Sequence, residues 1–134
     1  MFSDTIRNYF DRYGWLARKV DENWVVTSFL GEDTILGLSA GLMKGWFTVL
    51  VNTFITVKDV VNPELLCLEL LVINYQEESF RFAVNENNYI VLRSDHPLDG
   101  DLTYSAFEAA INEITHQTIK YSREIEQFKG GIIK

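Results

Sequence analysis

The sequence predicts an α+β fold, an antiparallel five-stranded sheet flanked by helices, in the order helix, three strands, helix, two strands, helix. Three observations carry this reading. Ser79–Val84 alternates in apolar character, Asn85–Asn88 supplies a turn, and Tyr89–Leu92 resumes an extended pattern, which reads as a hairpin. A Pro/Gly/Asp loop then gives way to a helical period over Tyr104–Phe128. Finally, neighbouring strands are joined by short turns or crossed by one helix, which favours antiparallel pairing with the helices on one side.

The elements follow in order. Phe2, Ile6, Tyr9, Phe10 and Tyr13 recur at spacings of three and four and form one face of a first helix, which Gly14 ends. Asp21-Glu22-Asn23 is turn-forming, and Trp24–Leu30 is the first clear strand, with Leu16–Val20 offering a few extended residues before it. Gly31-Glu32-Asp33 punctuates the chain. Thr34–Ser39 is the expected second strand, and Ala40–Gly45, with two glycines, reads as a connection. Trp46–Val57 is the longest strand, rich in Thr, Val and Phe.

Asn62-Pro63-Glu64 starts the second helix. Asn accepts from orphan amides, Pro loses nothing at the first helical position, and Glu faces the positive end of the dipole. This helix is expected to run to about Ile73. It is apolar on nearly all sides except Glu64 and Glu69, which predicts packing on more than one side. After the hairpin, Thr103 or Asp101 caps the last helix, whose stripe is Tyr104, Phe107, Ile111, Ile114, Thr118, Tyr121, Ile125 and Phe128, with Gly130-Gly131 as its expected end. No repeat, linker or low-complexity segment interrupts residues 1–134, so one domain is expected.

Composition limits the function. The chain holds 12 Lys and Arg against 19 Asp and Glu, a net charge of −7, with the acidic excess after Val60, so phosphate backbones are repelled on average and no nucleic-acid partner is expected. The N-terminus does not read as a secretory signal, and Leu65–Ile73 is too short and too interrupted to span a membrane, so a cytoplasmic protein with no membrane partner is expected. The lone Cys67 cannot form an internal disulfide and reads as a small buried hydrophobe.

No catalytic constellation emerges. His96 and His116 lack His or Cys neighbours at ligand spacing, and read as solvated, so no zinc site is expected. Asp95, Asp99 and Asp101 crowd one loop without the ligand pattern of a calcium loop, and turn chemistry accounts for them. Gly37, Gly41 and Gly45 match neither phosphate-loop nor dinucleotide spacing. Cys67 sits in apolar surroundings that do not favour a thiolate. No cofactor and no enzymatic activity are expected.

The long strand offers a surface instead. Phe47, Val49, Val51, Ile55 and Val57 alternate onto one face, the expected core side, while Trp46, Leu50 and Phe54 share the other with Thr48, Asn52 and Thr56. Either a helix or the N-terminal segment covers that second face, or it is a homodimer or partner-binding surface.

Several segments together resemble the YbjN-like family: Leu71-Val72-Ile73-Asn74-Tyr75, Phe80-Arg81-Phe82-Ala83-Val84, Tyr89–Leu98 with its Leu92-Arg93 and Pro97-Leu98 pairs, and Leu102-Thr103. The resemblance is best over Leu65–Ile114. It implies a fold similar to type III secretion chaperones, a curved antiparallel sheet flanked by helices, often dimeric. Chaperones of that kind bind extended protein segments and hold them unfolded, and the YbjN-like branch is described as regulatory, with no catalytic residues to carry over. Ala40–Gly45 departs from the pattern, being glycine-rich and apolar for a surface hairpin.

The expected function is therefore a non-catalytic protein-binding module, chaperone-like or regulatory. It would act as a homodimer with a protein or peptide partner through Trp46, Leu50 and Phe54. The alternative is a small-molecule-binding protein or enzyme with a pocket between sheet and helices, using Asp95, His96 or the tryptophans.

Overall fold

A computed structural model describes residues 1–128; the expected helix end at Gly130-Gly131 lies outside them. Helix α1 (Phe2–Tyr13) is followed by strands β1 (Arg18–Lys19), β2 (Trp24–Leu30), β3 (Ile35–Met43) and β4 (Trp46–Thr56). Then come helix α2 (Pro63–Gln76), strands β5 (Arg81–Val84) and β6 (Tyr89–Pro97), and helix α3 (Tyr104–Glu126). All strand pairs are antiparallel, in the order β1-β2-β3-β4-β6-β5. The α+β class and the element order agree with the sequence, but among the described residues the sheet has six strands rather than five. The added one, β1, is two residues long and pairs Arg18 with Val26 and Lys19 with Val25.

Local chemistry explains the helix ends. Gly14 closes α1 at φ 97°, where its N–H donates to the carbonyls of Asp11 and Phe10. The Asn62 side chain accepts from the Leu65 N–H to start α2, and Thr103, not Asp101, accepts from Ala106 N–H to start α3. Helix α3 ends at Glu126, and Phe128 packs partly buried against the core beyond it.

Two expectations about the strands are corrected. Residues 40–43 are strand, not connection: β3 continues to Met43, and the turn is only Lys44-Gly45, with φ of 52° and 83°. Asp95 and His96 are likewise not loop residues, because β6 runs on to Pro97, opposite Trp46 at the start of β4. Both extensions follow from β4, whose eleven residues offer ladder partners to β3 on one side and β6 on the other.

The core lies on one face of the sheet. Phe47, Val49 and Val51 of β4, Leu38 of β3, Val25 of β2 and Leu92 of β6 are sealed against Ile6 and Phe10 of α1 and Phe107, Ile111 and Ile114 of α3. Phe107 is the hub, with its ring 4.8 Å from Phe10 and 6.1 Å from Phe47. Tyr9 ties the layers by donating to the Leu102 carbonyl at 2.7 Å.

Helix α2 is placed differently, at the β5 edge. The Asn74 side chain accepts from Phe82 N–H at 2.7 Å and donates to Phe82 O at 3.0 Å, so one amide pairs with the strand as a neighbouring strand would. That closes part of an edge that would otherwise offer unpaired backbone groups. Only Leu66, Leu70 and Ile73 of α2 reach the core. The expected packing on several sides is therefore not observed: Leu65, Leu68, Leu71, Val72 and Tyr75 are exposed, because no described element lies beyond α2. Cys67 is likewise only partly buried.

Candidate partner-binding surface

The outer face of the sheet is built by alternation. In β4 the side chains opposite Phe47, Val49 and Val51 are Trp46, Thr48, Leu50 and Asn52, and the sheet's register aligns them with outward residues of the other strands. Trp46 is 45% exposed and Phe54 54%, while Leu50 is half-buried between Ser39 and Arg93. Leu30, Ile35 and Met43 extend the uncovered apolar area. The three sequence-predicted residues thus lie on one strand and one face.

The glycines of β3 shape this surface. Gly37, Ser39 and Gly41 alternate outward, giving a low lane along the middle of the sheet. A Cβ at Gly41 would come within 2.4 Å of the Trp24 ring and 2.5 Å of the Asn23 carbonyl, so Trp24 lies directly over that glycine. At the other end a Cβ at Gly37 would meet the tip of the Phe54 ring at 3.1 Å. Phe54 reaches there from an irregularity in β4, where the register to β6 shifts between Asn52 and Thr56. Its φ is 59°, a conformation that bulky residues rarely adopt, held by Asn52 Oδ1 accepting from its N–H at 2.8 Å. Tyr89 meets the same ring edge-on at 6.0 Å.

A polar cluster stands beside the apolar residues. Asp95 on β6 accepts from the buried Thr48 hydroxyl at 2.7 Å, from Arg93 Nε at 3.0 Å and from Arg81 at 2.9 Å. Burial works to raise this carboxyl, but the hydrogen bonds from Arg93 and Thr48 and the charges of Arg93 and Arg81 outweigh it and hold it below its ordinary value. One carboxylate therefore fixes two guanidinium groups on the sheet. Sequence reasoning missed both arginines: Arg81 lay within the expected hairpin, but Arg93 lay beyond the strand end expected at Leu92.

His96, next along β6, points the other way. It pairs with Phe47 on the core side, its ring 6.0 Å away, and its Nε2 lies 3.1 Å from Ser94 Oγ. Burial pushes the imidazole below its ordinary value, with the Asp95 charge opposing. Asp95 and His96 occupy opposite faces of the sheet and cannot share a substrate, and Ser94 is buried. Among the described residues no cluster of His, Cys, Asp or Glu could hold a metal ion, and no helix is long and apolar enough to cross a membrane.

A groove of about 640 Å³ lies between the β2–β3 turn and the second half of α3, with Leu36, Ile55 and Ile125 in its lining. Arg123 of α3 donates to Glu32 of the turn at its rim.

No family model matches the chain, and no curated protein matches it. Solved structures do. A chain of the ExsC–ExsE complex aligns with a TM-score of 0.66 at 14% identity, over 96% of this chain and 94% of that one. YbjN from E. coli aligns at 0.61 and 14% identity, over 90% and 91%. The Yersinia pestis type III secretion chaperone SycH, in complex with a fragment of YscM2, aligns at 0.56 and 10% identity, over 90% and 98%. The chain therefore has a YbjN-like, type III secretion chaperone-like fold.

Proposed function

We infer that this chain, with its chaperone-like fold, is a non-catalytic protein-binding module, chaperone-like or regulatory, acting in the cytoplasm as a single folded unit. The observation that carries the reading is the uncovered outer face of the sheet, where Trp46, Leu50 and Phe54 stand among further apolar side chains. Aromatic and arginine side chains in one patch are the residue types that dominate binding energy at protein interfaces. Support also comes from structural neighbours caught with protein partners, ExsC with ExsE and SycH with YscM2.

The chain acts as a homodimer, and α2 rather than the sheet is the better surface for the second copy. Leu65, Leu68, Val72 and Tyr75 follow one another at spacings of three and four on its exposed side, a seam that suits a facing helix. An isologous contact would set α2 against its own symmetry mate and leave both sheets free. Light scattering of the intact protein tests this, with a dimer expected. Binding of an extended apolar peptide, read by Trp fluorescence, tests the sheet, and Trp46→Asp is expected to abolish it. A strict monomer whose Trp46→Asp variant binds as the parent does would overturn the reading.

A small-molecule role has two hollows in its favour, the groove beside the Arg123–Glu32 pair and one of about 740 Å³ whose lining includes Asp95 and Trp46. Neither is lined by His96.

A further inference from the structure

The register of the sheet places one row of outward side chains across all six strands: Arg18, Val26, Ser39, Leu50, Arg93 and Arg81. Half of the row is arginine and none of it is acidic. Of the 19 acidic residues in the chain, only Asp95 lies in a strand, and it is already engaged by Arg93, Arg81 and Thr48. The helices and loops carry the net negative charge, while the outer face of the sheet is positive. Screening makes this local contrast matter more than the net charge, since fields fade over roughly 8 Å at physiological salt.

We propose that this row receives an acidic stretch of the partner protein, laid across the strands, with its carboxylates at Arg18 on one side and at Arg93 and Arg81 on the other. The proposal rests on the protein-binding reading above and names the chemistry of its partner. Asp95 makes the Arg pair a prepared receiver, because it orients two guanidinium groups yet neutralises only one of their charges. Arg81 keeps most of its side chain exposed. Val26 and Leu50, both half-buried, supply apolar seats between the charged ends. Four strand spacings separate Arg18 from Arg93, about 19 Å, which an extended chain covers in about six residues. The hollow beside Arg81 is also lined by Glu77 and Glu78, so the open row rather than the hollow is the receiver. Two positive ends about 19 Å apart match a peptide with spaced carboxylates better than a nucleic acid, whose phosphates are far denser.

The test uses the intact protein and synthetic peptides of about ten residues, long enough to cross the row. One carries Asp pairs at both ends around a Leu- and Trp-containing centre; a second replaces each Asp with Asn. Fluorescence anisotropy is expected to show the Asp peptide binding at least tenfold more tightly, with the advantage shrinking as salt rises. Arg81→Gln and Arg18→Gln, both at exposed sites, are each expected to cut the Asp peptide's affinity severalfold and leave the Asn peptide unchanged. Equal binding of the two peptides would overturn the proposal while sparing the protein-binding reading. Binding of neither would overturn both, and tighter binding of a single-stranded oligonucleotide would show the partner class to be wrong.

Discussion

Among the described residues two apolar surfaces stand uncovered, and they differ in kind. The outward side of α2 is largely aliphatic, with Leu65, Leu68, Leu71 and Val72 on a helix whose other side reaches the core. The outer face of the sheet mixes rings, arginines and a glycine lane, with Trp24 lying over Gly41 and Phe54 over Gly37. An aliphatic ridge can interlock with a copy of itself, because it needs no complementary charge. A face with spaced arginines and rings set over glycines discriminates among ligands, and suits a partner of different sequence.

Separating the two surfaces by mutation is the sharpest test of that difference, and the largest effect is expected on α2. Leu68→Asp should raise the dimer dissociation constant by about 30-fold or more, since burying a charge at a central apolar contact costs roughly 2 kcal/mol or above. Sedimentation equilibrium would read it. Trp46→Asp should leave the dimer intact; a monomeric Trp46→Asp would merge the two surfaces into one interface.

Next comes the tether that holds α2 to the sheet. Asn74→Ala strips both side-chain partners from Phe82, and leaving partly buried backbone groups unpaired costs about 1–3 kcal/mol. Urea unfolding should show the loss. Asn74→Asp keeps the acceptor for Phe82 N–H but sets a carboxylate oxygen against Phe82 O, and should also lose stability.

The glycine lane gives an effect of similar size, confined to the sheet. A methyl group at Gly41 collides with Trp24 and with the Asn23 backbone, so Gly41→Ala should cost about 1–3 kcal/mol through overpacking and shift the Trp fluorescence. At Gly37 the obstacle is only the tip of the Phe54 ring, which can turn aside, and Gly37→Ala should cost less. A Gly41→Ala variant of parental stability would mean that Trp24 does not rest on β3.

These positions also mark where sequence reasoning stopped. Strands such as Trp24–Leu30 were legible because β-branched and aromatic residues following a turn suit a pleated, half-buried surface. Residues 40–45 were misread because Gly41 and Gly45 look alike in sequence: one turns the chain at φ 83°, the other makes room for a ring from the next strand. Helix α2 was misplaced for a related reason. An apolar helix declares that something covers it, not whether the cover belongs to the same chain. Trp46, Leu50 and Phe54 were assigned to one face because alternation within one strand is local. Arg18, Arg81 and Arg93 were not, because a row across six strands exists only in the register.

The smallest expected effect separates the two faces of β6 by pH. His96 is held below its ordinary value of 6.5 in the folded chain, so as pH falls through 6.5 the unfolded chain takes up the proton first and stability declines. One such group can contribute at most about 1.4 kcal/mol per pH unit. Asp95 is also held low, but from 3.8, so its contribution is complete above that value and is lost only as pH falls further, through its folded-state value. Just below pH 6.5 the core-side histidine therefore lowers stability while the outer carboxylate keeps its arginines in place. His96→Gln should flatten the decline in urea midpoint over that window relative to the parent, and leave Asp-peptide binding at each pH unchanged. If the variant and parent declined in parallel, His96 would not be titrating out of a half-buried neutral state. If peptide binding changed with the variant, the two faces of β6 would be coupled, and pH could not be used to read them apart.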